Sequence, residues 1–94
     1  MCNIEFKAGY YEWNVFVDDE YYYTFGDGIT EDIPYNANKD DVENAVDVLI
    51  FCMNCDLMNN EEYNGRLPLN DEQTAELKKQ MITELSYYCC DVKI

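Results

Sequence analysis

Apolar and polar residues alternate along the first part of the chain, and that period of two predicts strands. Ile4 to Lys7 reads as a short strand, and Ala8-Gly9 as a turn. Tyr10 to Val17 alternates cleanly, with Tyr11, Trp13, Val15 and Val17 on one face and Tyr10, Glu12, Asn14 and Phe16 on the other. Asp18-Asp19-Glu20 reads as a hairpin connection. Tyr21 to Phe25 then forms a third strand, which strict alternation divides into Tyr21, Tyr23 and Phe25 on one side and Tyr22 and Thr24 on the other. Three short strands with tight connections predict an antiparallel meander over residues 1–26.

Gly26-Asp27-Gly28 ends the meander, and Pro34 opposes a helix in the connecting stretch 27–37. The period then changes. Asn38 is placed to cap a helix, with Asp40, Asp41 and Glu43 in its first turn, at the positive end of the helix dipole. Val42, Ala45, Val46, Leu49, Met53 and Leu57 make an apolar stripe. Val48, Ile50, Phe51, Cys52 and Cys55 make the second half apolar on nearly every side, so that half is expected to be buried against both the sheet and another element. This helix spans 38–59. Residues 60–69, with Gly65 and Pro68, are expected to form a loop. Asn70 and Gln73 resemble a capping box at the start of a second helix, 70–90. Its face Leu77, Met81, Leu85 and Tyr88 points inward, Lys78 and Lys79 face water, and 91–94 forms a tail. The expected fold is a single α+β domain, a small three-stranded antiparallel sheet packed against two α-helices.

Charge changes the picture most. The 94 residues carry 20 acids and 6 bases, a net charge of −14. Residues 8–65 hold 14 of those acids and one base, Lys39, so nearly all of the excess lies in the first two thirds of the chain. Self-repulsion of this size opposes the compact state. It also makes nucleic acid and anionic membranes poor direct partners and a basic protein surface or a cation the natural counterpart. Nine tyrosines fit an interface, because tyrosine combines rigid area with a hydroxyl. Tyr10, Tyr22 and Phe16, on the second sheet face, are either open to a partner or covered by the helices and the 26–37 segment. Tyr22 is a candidate anchor, and a tyrosine-rich sheet face could also support a two-fold dimer. Apolar content of 48% argues against intrinsic disorder. With no apolar run of membrane-spanning length and no leader-like start, a cytoplasmic location and free thiols are expected.

The chemistry of catalysis is thinly represented. There is no histidine, which removes the commonest general base. Neither a dinucleotide-binding nor a phosphate-binding glycine pattern occurs. No enzyme and no cofactor are expected. Asn36, Asn38, Asp40 and Asp47 superficially suggest a calcium loop, but its sixth position would be Asp41 and its twelfth Asp47, and helix capping accounts for the same residues. Cys52 and Cys55 form a C-x-x-C, and Cys89-Cys90 a vicinal pair. Four thiolates could hold zinc, although burial as small apolar side chains is the expected role.

Asp18-Asp19-Glu20, Glu31-Asp32, Asp40-Asp41, Glu43, Asp47 and Glu61-Glu62, on a small α+β chain, resemble the acidic inhibitors encoded by phages and mobile elements. These are the anti-CRISPR and anti-restriction proteins that imitate nucleic acid. The resemblance is one of size, composition and architecture. It implies binding to a basic groove of a bacterial defence nuclease or its guide complex, blocking DNA without chemistry. The residues it puts forward are Asp18, Asp19, Glu20, Tyr22, Glu31, Asp32, Asp40, Asp41, Glu43 and Asp47. Immunity proteins that neutralise nuclease toxins are similar in size and charge, and there the acids of the first helix would supply the contacts. A cysteine-based metal or redox protein centred on Cys52, Cys55, Cys89 and Cys90 is a third class.

Overall fold

A computed structural model describes residues 3–9, 12–26, 38–59, 61–63 and 67–88, with Tyr87 and Tyr88 described by their backbone alone. Three strands, β1 (Ile4–Ala8), β2 (Glu12–Val17) and β3 (Glu20–Gly26), form an antiparallel sheet in the order β1-β2-β3. Two helices follow, α1 (Lys39–Asn59) and α2 (Asp71–Tyr88), with a 3-10 turn at Glu61–Tyr63 between them. This is the α+β arrangement that the period change along the chain predicts.

Both helix starts are set by local chemistry. Asn38 Oδ1 accepts from the Asp41 amide at 2.9 Å, and Asp41 Oδ2 accepts from the Asn38 amide at 3.1 Å. Asn70 and Gln73 repeat the reciprocal pattern at 2.7 and 3.0 Å. Each box satisfies amides that the first helical turn leaves without a partner. At the other end of α1 the Asn59 side chain donates to the Cys55 carbonyl at 3.0 Å. The second helix is described to Tyr88; Cys89, Cys90 and the expected tail lie outside the described residues, as do Tyr10, Tyr11 and the 27–37 connection.

The core lies between one sheet face and the helices. Ile4, Phe6, Trp13, Val15, Tyr23 and Phe25 meet Val42, Val46, Leu49, Ile50, Met53 and Leu57 of α1 and Leu77, Met81 and Leu85 of α2. Phe6 stacks on Trp13 at 5.0 Å, and Tyr23 meets Phe25 edge-on at 4.9 Å. Such aromatic pairs add to the area they bury. At the outer edge of the sheet, β1 has one row of backbone groups facing away from β2. The Gln80 carboxamide takes two of them, accepting from the Phe6 amide at 2.8 Å and donating to the Ile4 carbonyl at 2.6 Å. A side chain thus stands in for a further strand at an edge that would otherwise be open to pairing.

Three expectations are corrected. First, the alternation of β3 slips. Val15 pairs with Tyr23 and Phe16 with Tyr21, so Tyr22 is an extra residue in a β-bulge. One extra residue reverses the faces before it. Tyr21 therefore lies opposite to Tyr23, beside Phe16 and Thr24, while Tyr22 and Tyr23 are both buried. Second, the outer half of α1 is not enclosed: Val48, Phe51, Cys52 and Met58 are exposed. The sheet and α2 occupy only the opposite side of that helix. Third, Lys78 is half-buried and ion-paired rather than free in water. Within the expected 60–69 loop, Glu61–Tyr63 instead form a 3-10 turn in which Tyr63 is buried; its ring packs against Tyr23 at 4.7 Å.

Candidate protein-binding surface

The acidic hairpin connection is a two-residue turn closed by the Val17–Glu20 pair. Asp18 and Asp19 have φ of 53° and 67°, both left-handed, as a type I′ turn requires. Asparagine and glycine are the favoured residues there, and aspartate tolerates the conformation better than most. The tip is held in place from below, because the Asp18 amide donates to the Asn3 carbonyl at 2.8 Å. Asp18, Asp19 and Glu20 are all exposed. Three consecutive carboxylates thus project from a turn whose backbone is tied down. On the neighbouring strand the Lys7 ammonium bonds Glu5 at 2.8 Å and lies 5.6 Å from the centre of the Phe16 ring. Its pKa is raised, chiefly by that hydrogen bond and the Glu5 charge, with a smaller contribution from Asp19.

A cleft of about 480 Å³ separates the hairpin from the segment entering α2. Asp18, Glu20 and Tyr21 form one wall, and Leu67, Pro68 and Asn70 the other. Tyr22 lies at its base with 7% of its surface exposed, and its hydroxyl donates to the Leu67 carbonyl at 2.6 Å. Tyr22 is therefore not an open anchor; its ring and hydroxyl tie the 67–70 segment to the sheet. Leu67, 82% exposed, is the apolar side chain the cleft offers instead. An acidic rim over an aliphatic wall suits lysine or arginine, whose stem can lie on Leu67 and Pro68 while its head reaches Asp18 or Glu20.

The α1 acids are placed differently. Asp40 is exposed, and Asp41 is engaged in the cap. Glu43 stands 4.0 Å from Lys39, and Asp47 bonds Lys78 at 2.8 Å. The Lys78 pKa is raised, first by this hydrogen bond and to a lesser extent by the charges of Asp47 and Glu43, with burial acting in the opposite direction. Glu43 also lines a shallow groove of about 350 Å³ with Lys39, Lys78 and Lys79, on the seam between the helices. This groove shares no lining residue with the hairpin cleft. The structure thus joins Asp18, Asp19 and Glu20 into one site and sets Glu43 and Asp47 apart among lysines. Glu31 and Asp32 lie outside the described residues. No local signal links Asp47 to Lys78, which are joined only when α2 packs on α1.

The remaining chemistry is structural. Cys55 is half-buried and Cys52 exposed, which corrects the expectation that both serve as packing; both thiols are free. Among the described residues no three metal-ligating side chains come together, and Cys89 and Cys90 lie outside them. The Tyr23 hydroxyl donates to Asp56, and burial followed by that bond pushes its pKa well above the ordinary tyrosine value. Burial and the Tyr21 hydroxyl raise Tyr63 to about 12. These hydroxyls stay protonated at neutral pH and act as hydrogen-bonding groups of the core. No described helix is long and apolar enough to cross a membrane. Comparison with protein-family models, curated proteins and solved structures finds no match.

Proposed function

We propose that this protein is a non-enzymatic inhibitor of the anti-CRISPR or anti-restriction kind. It acts in the cytoplasm of a bacterial host and occupies a basic nucleic-acid-binding groove of a defence nuclease or its guide complex. The observation that carries the reading is the tip Asp18-Asp19-Glu20, three exposed carboxylates on a turn tied down through Asn3. A net charge of −14 supplies the long-range attraction that would speed association with such a groove. Asp40, at the start of α1, is a further exposed carboxylate, apart from the hairpin. Glu43 and Asp47 contribute less, because lysines lie against them. That same neutralisation disfavours the immunity-protein alternative, which needs the acids of α1. A cysteine-centred metal role draws little support from an exposed Cys52 and a half-buried Cys55 with no third ligand among the described residues.

The test uses the triple neutralisation D18N/D19N/E20Q, since asparagine accepts the left-handed turn. Tagged wild-type and variant chains are used to capture proteins from a phage-susceptible bacterium, with mass-spectrometric identification and competition by duplex DNA across a salt series. The wild type is expected to retain a nucleic-acid-processing protein that DNA and rising salt displace. The variant is expected to lose it by about tenfold or more. Capture that survives neutralisation, or that DNA leaves untouched, refutes electrostatic mimicry.

A further inference from the structure

We propose that the solvent side of α1 is a second docking surface, and that its occupant is a basic amphipathic helix of a protein partner. Successive residues of an α-helix turn by about 100°. Val48, Phe51, Cys52, Cys55 and Met58, at spacings of three, four, seven and ten, therefore fall on one face. The core residues Val42, Val46, Leu49, Ile50, Met53 and Leu57 fall on the opposite one. Val48 is 60%, Phe51 68% and Met58 83% exposed. A single exposed apolar side chain is ordinary, but a stripe of roughly 15 Å along three turns is not. A helix apolar on all sides is normally enclosed, and this one is enclosed on one side only.

The charges around the stripe select the occupant. Asp40 and Asp41 precede it in the first turn of the helix, Asp41 also serving the cap, and the exposed Glu61 follows it in the chain, in the 3-10 turn. The helix has a single base, Lys39, on the flank towards α2, where Glu43 and Lys78 lie. An apolar centre with anionic ends is complementary to a helix with leucine or phenylalanine in its middle turns and lysine or arginine towards both ends. A second copy of this chain fits poorly. Parallel or antiparallel, two such stripes bring acids against acids, between molecules that each carry −14. An anionic lipid surface is repelled in the same way. This surface stands on its own observations, separate from the hairpin tip and its cleft.

The probe is a fluorescein-labelled amphipathic Leu/Lys peptide of about five helical turns, with a Leu/Glu peptide of the same pattern as control. Binding is read by anisotropy, and alkylation of Cys52 by iodoacetamide is followed site by site with mass spectrometry. Wild-type protein is expected to bind the Leu/Lys peptide and not the Leu/Glu one. V48S/F51S, which removes only exposed apolar surface and should melt like the wild type, is expected to weaken binding on the order of tenfold. D18N/D19N/E20Q is expected to bind within about twofold of the wild type, since it leaves the stripe intact and lowers only the long-range attraction. Cys52 should be alkylated readily in the free protein and at least several-fold more slowly with the peptide bound. Equal affinity of V48S/F51S and wild type overturns the proposal, as does loss of binding in the hairpin variant alone. Slow alkylation of Cys52 in the free chain would mean that this face is already covered, and a dimer abolished by V48S/F51S would mean that a second copy covers it; either overturns the assignment.

Discussion

Replacing Asp18-Asp19 with Asn-Gly separates what the β2–β3 turn does for folding from what it offers a partner. Both residues hold left-handed φ, 53° and 67°. An ordinary L-residue gives up about 1–2 kcal/mol there, aspartate somewhat less, and glycine essentially nothing. Glycine at the second position should recover on the order of 1 kcal/mol, offset in part by its greater freedom in the unfolded chain. Asparagine at the first keeps both the conformation and the backbone donor to Asn3. The net gain should be about 0.5–1 kcal/mol, or roughly 2–8 °C in melting temperature for a domain of this size. Melting is followed by circular dichroism at neutral pH and physiological salt, alongside stopped-flow association with the captured partner. The variant should melt higher and associate more slowly, because two of the three tip charges are gone. A lower melting temperature would refute the turn argument. Unchanged association would refute the role of these carboxylates in recognition.

Other consequences can be checked directly. Gln80→Leu removes both hydrogen bonds to the β1 edge and leaves the Phe6 amide and Ile4 carbonyl poorly satisfied, so urea denaturation should report a loss of about 2–3 kcal/mol. Alkaline titration followed by ultraviolet absorbance should show Tyr23 and Tyr63 ionising later than ordinary tyrosines. Their pKa values are raised on folding, so the stability they contribute is full below pH 10 and falls as pH rises towards 12 and beyond, with loss of ellipticity over the same range. Lys78→Ala breaks an ion pair with Asp47 that is partly open to solvent and should cost under about 1 kcal/mol in chemical denaturation. It also frees a carboxylate, so association with a basic partner should be unchanged or faster.

Local chemistry was legible wherever a rule acts within four residues. Asn38 and Asn70 announce the helix starts, and the alternation of Ile4 to Val17 places Ile4, Phe6, Trp13 and Val15 in the core. The candidate site was readable only in part. Asp18-Asp19-Glu20 is visible as an acidic connection, but nothing local shows that Leu67 and Pro68 complete a cleft beside it. Tyr22 misled because strict alternation presumes an unbroken ladder, and the bulge opposite Val15 and Phe16 breaks it. Binding of its hydroxyl at the Leu67 carbonyl closed off the role of exposed anchor.

By itself, then, the amino-acid order determined the elements, their caps and the excess of negative charge, because period, capping and composition are properties of neighbouring residues. Tertiary structure alone decided which acids remain available. Packing α2 on α1 brings Lys78 to Asp47, while the hairpin carries Asp18, Asp19 and Glu20 into solvent. It likewise decided that one apolar side of α1 is enclosed and the other left open, since a helix pattern says how much apolar surface there is and only the arrangement of neighbours says how much of it they cover.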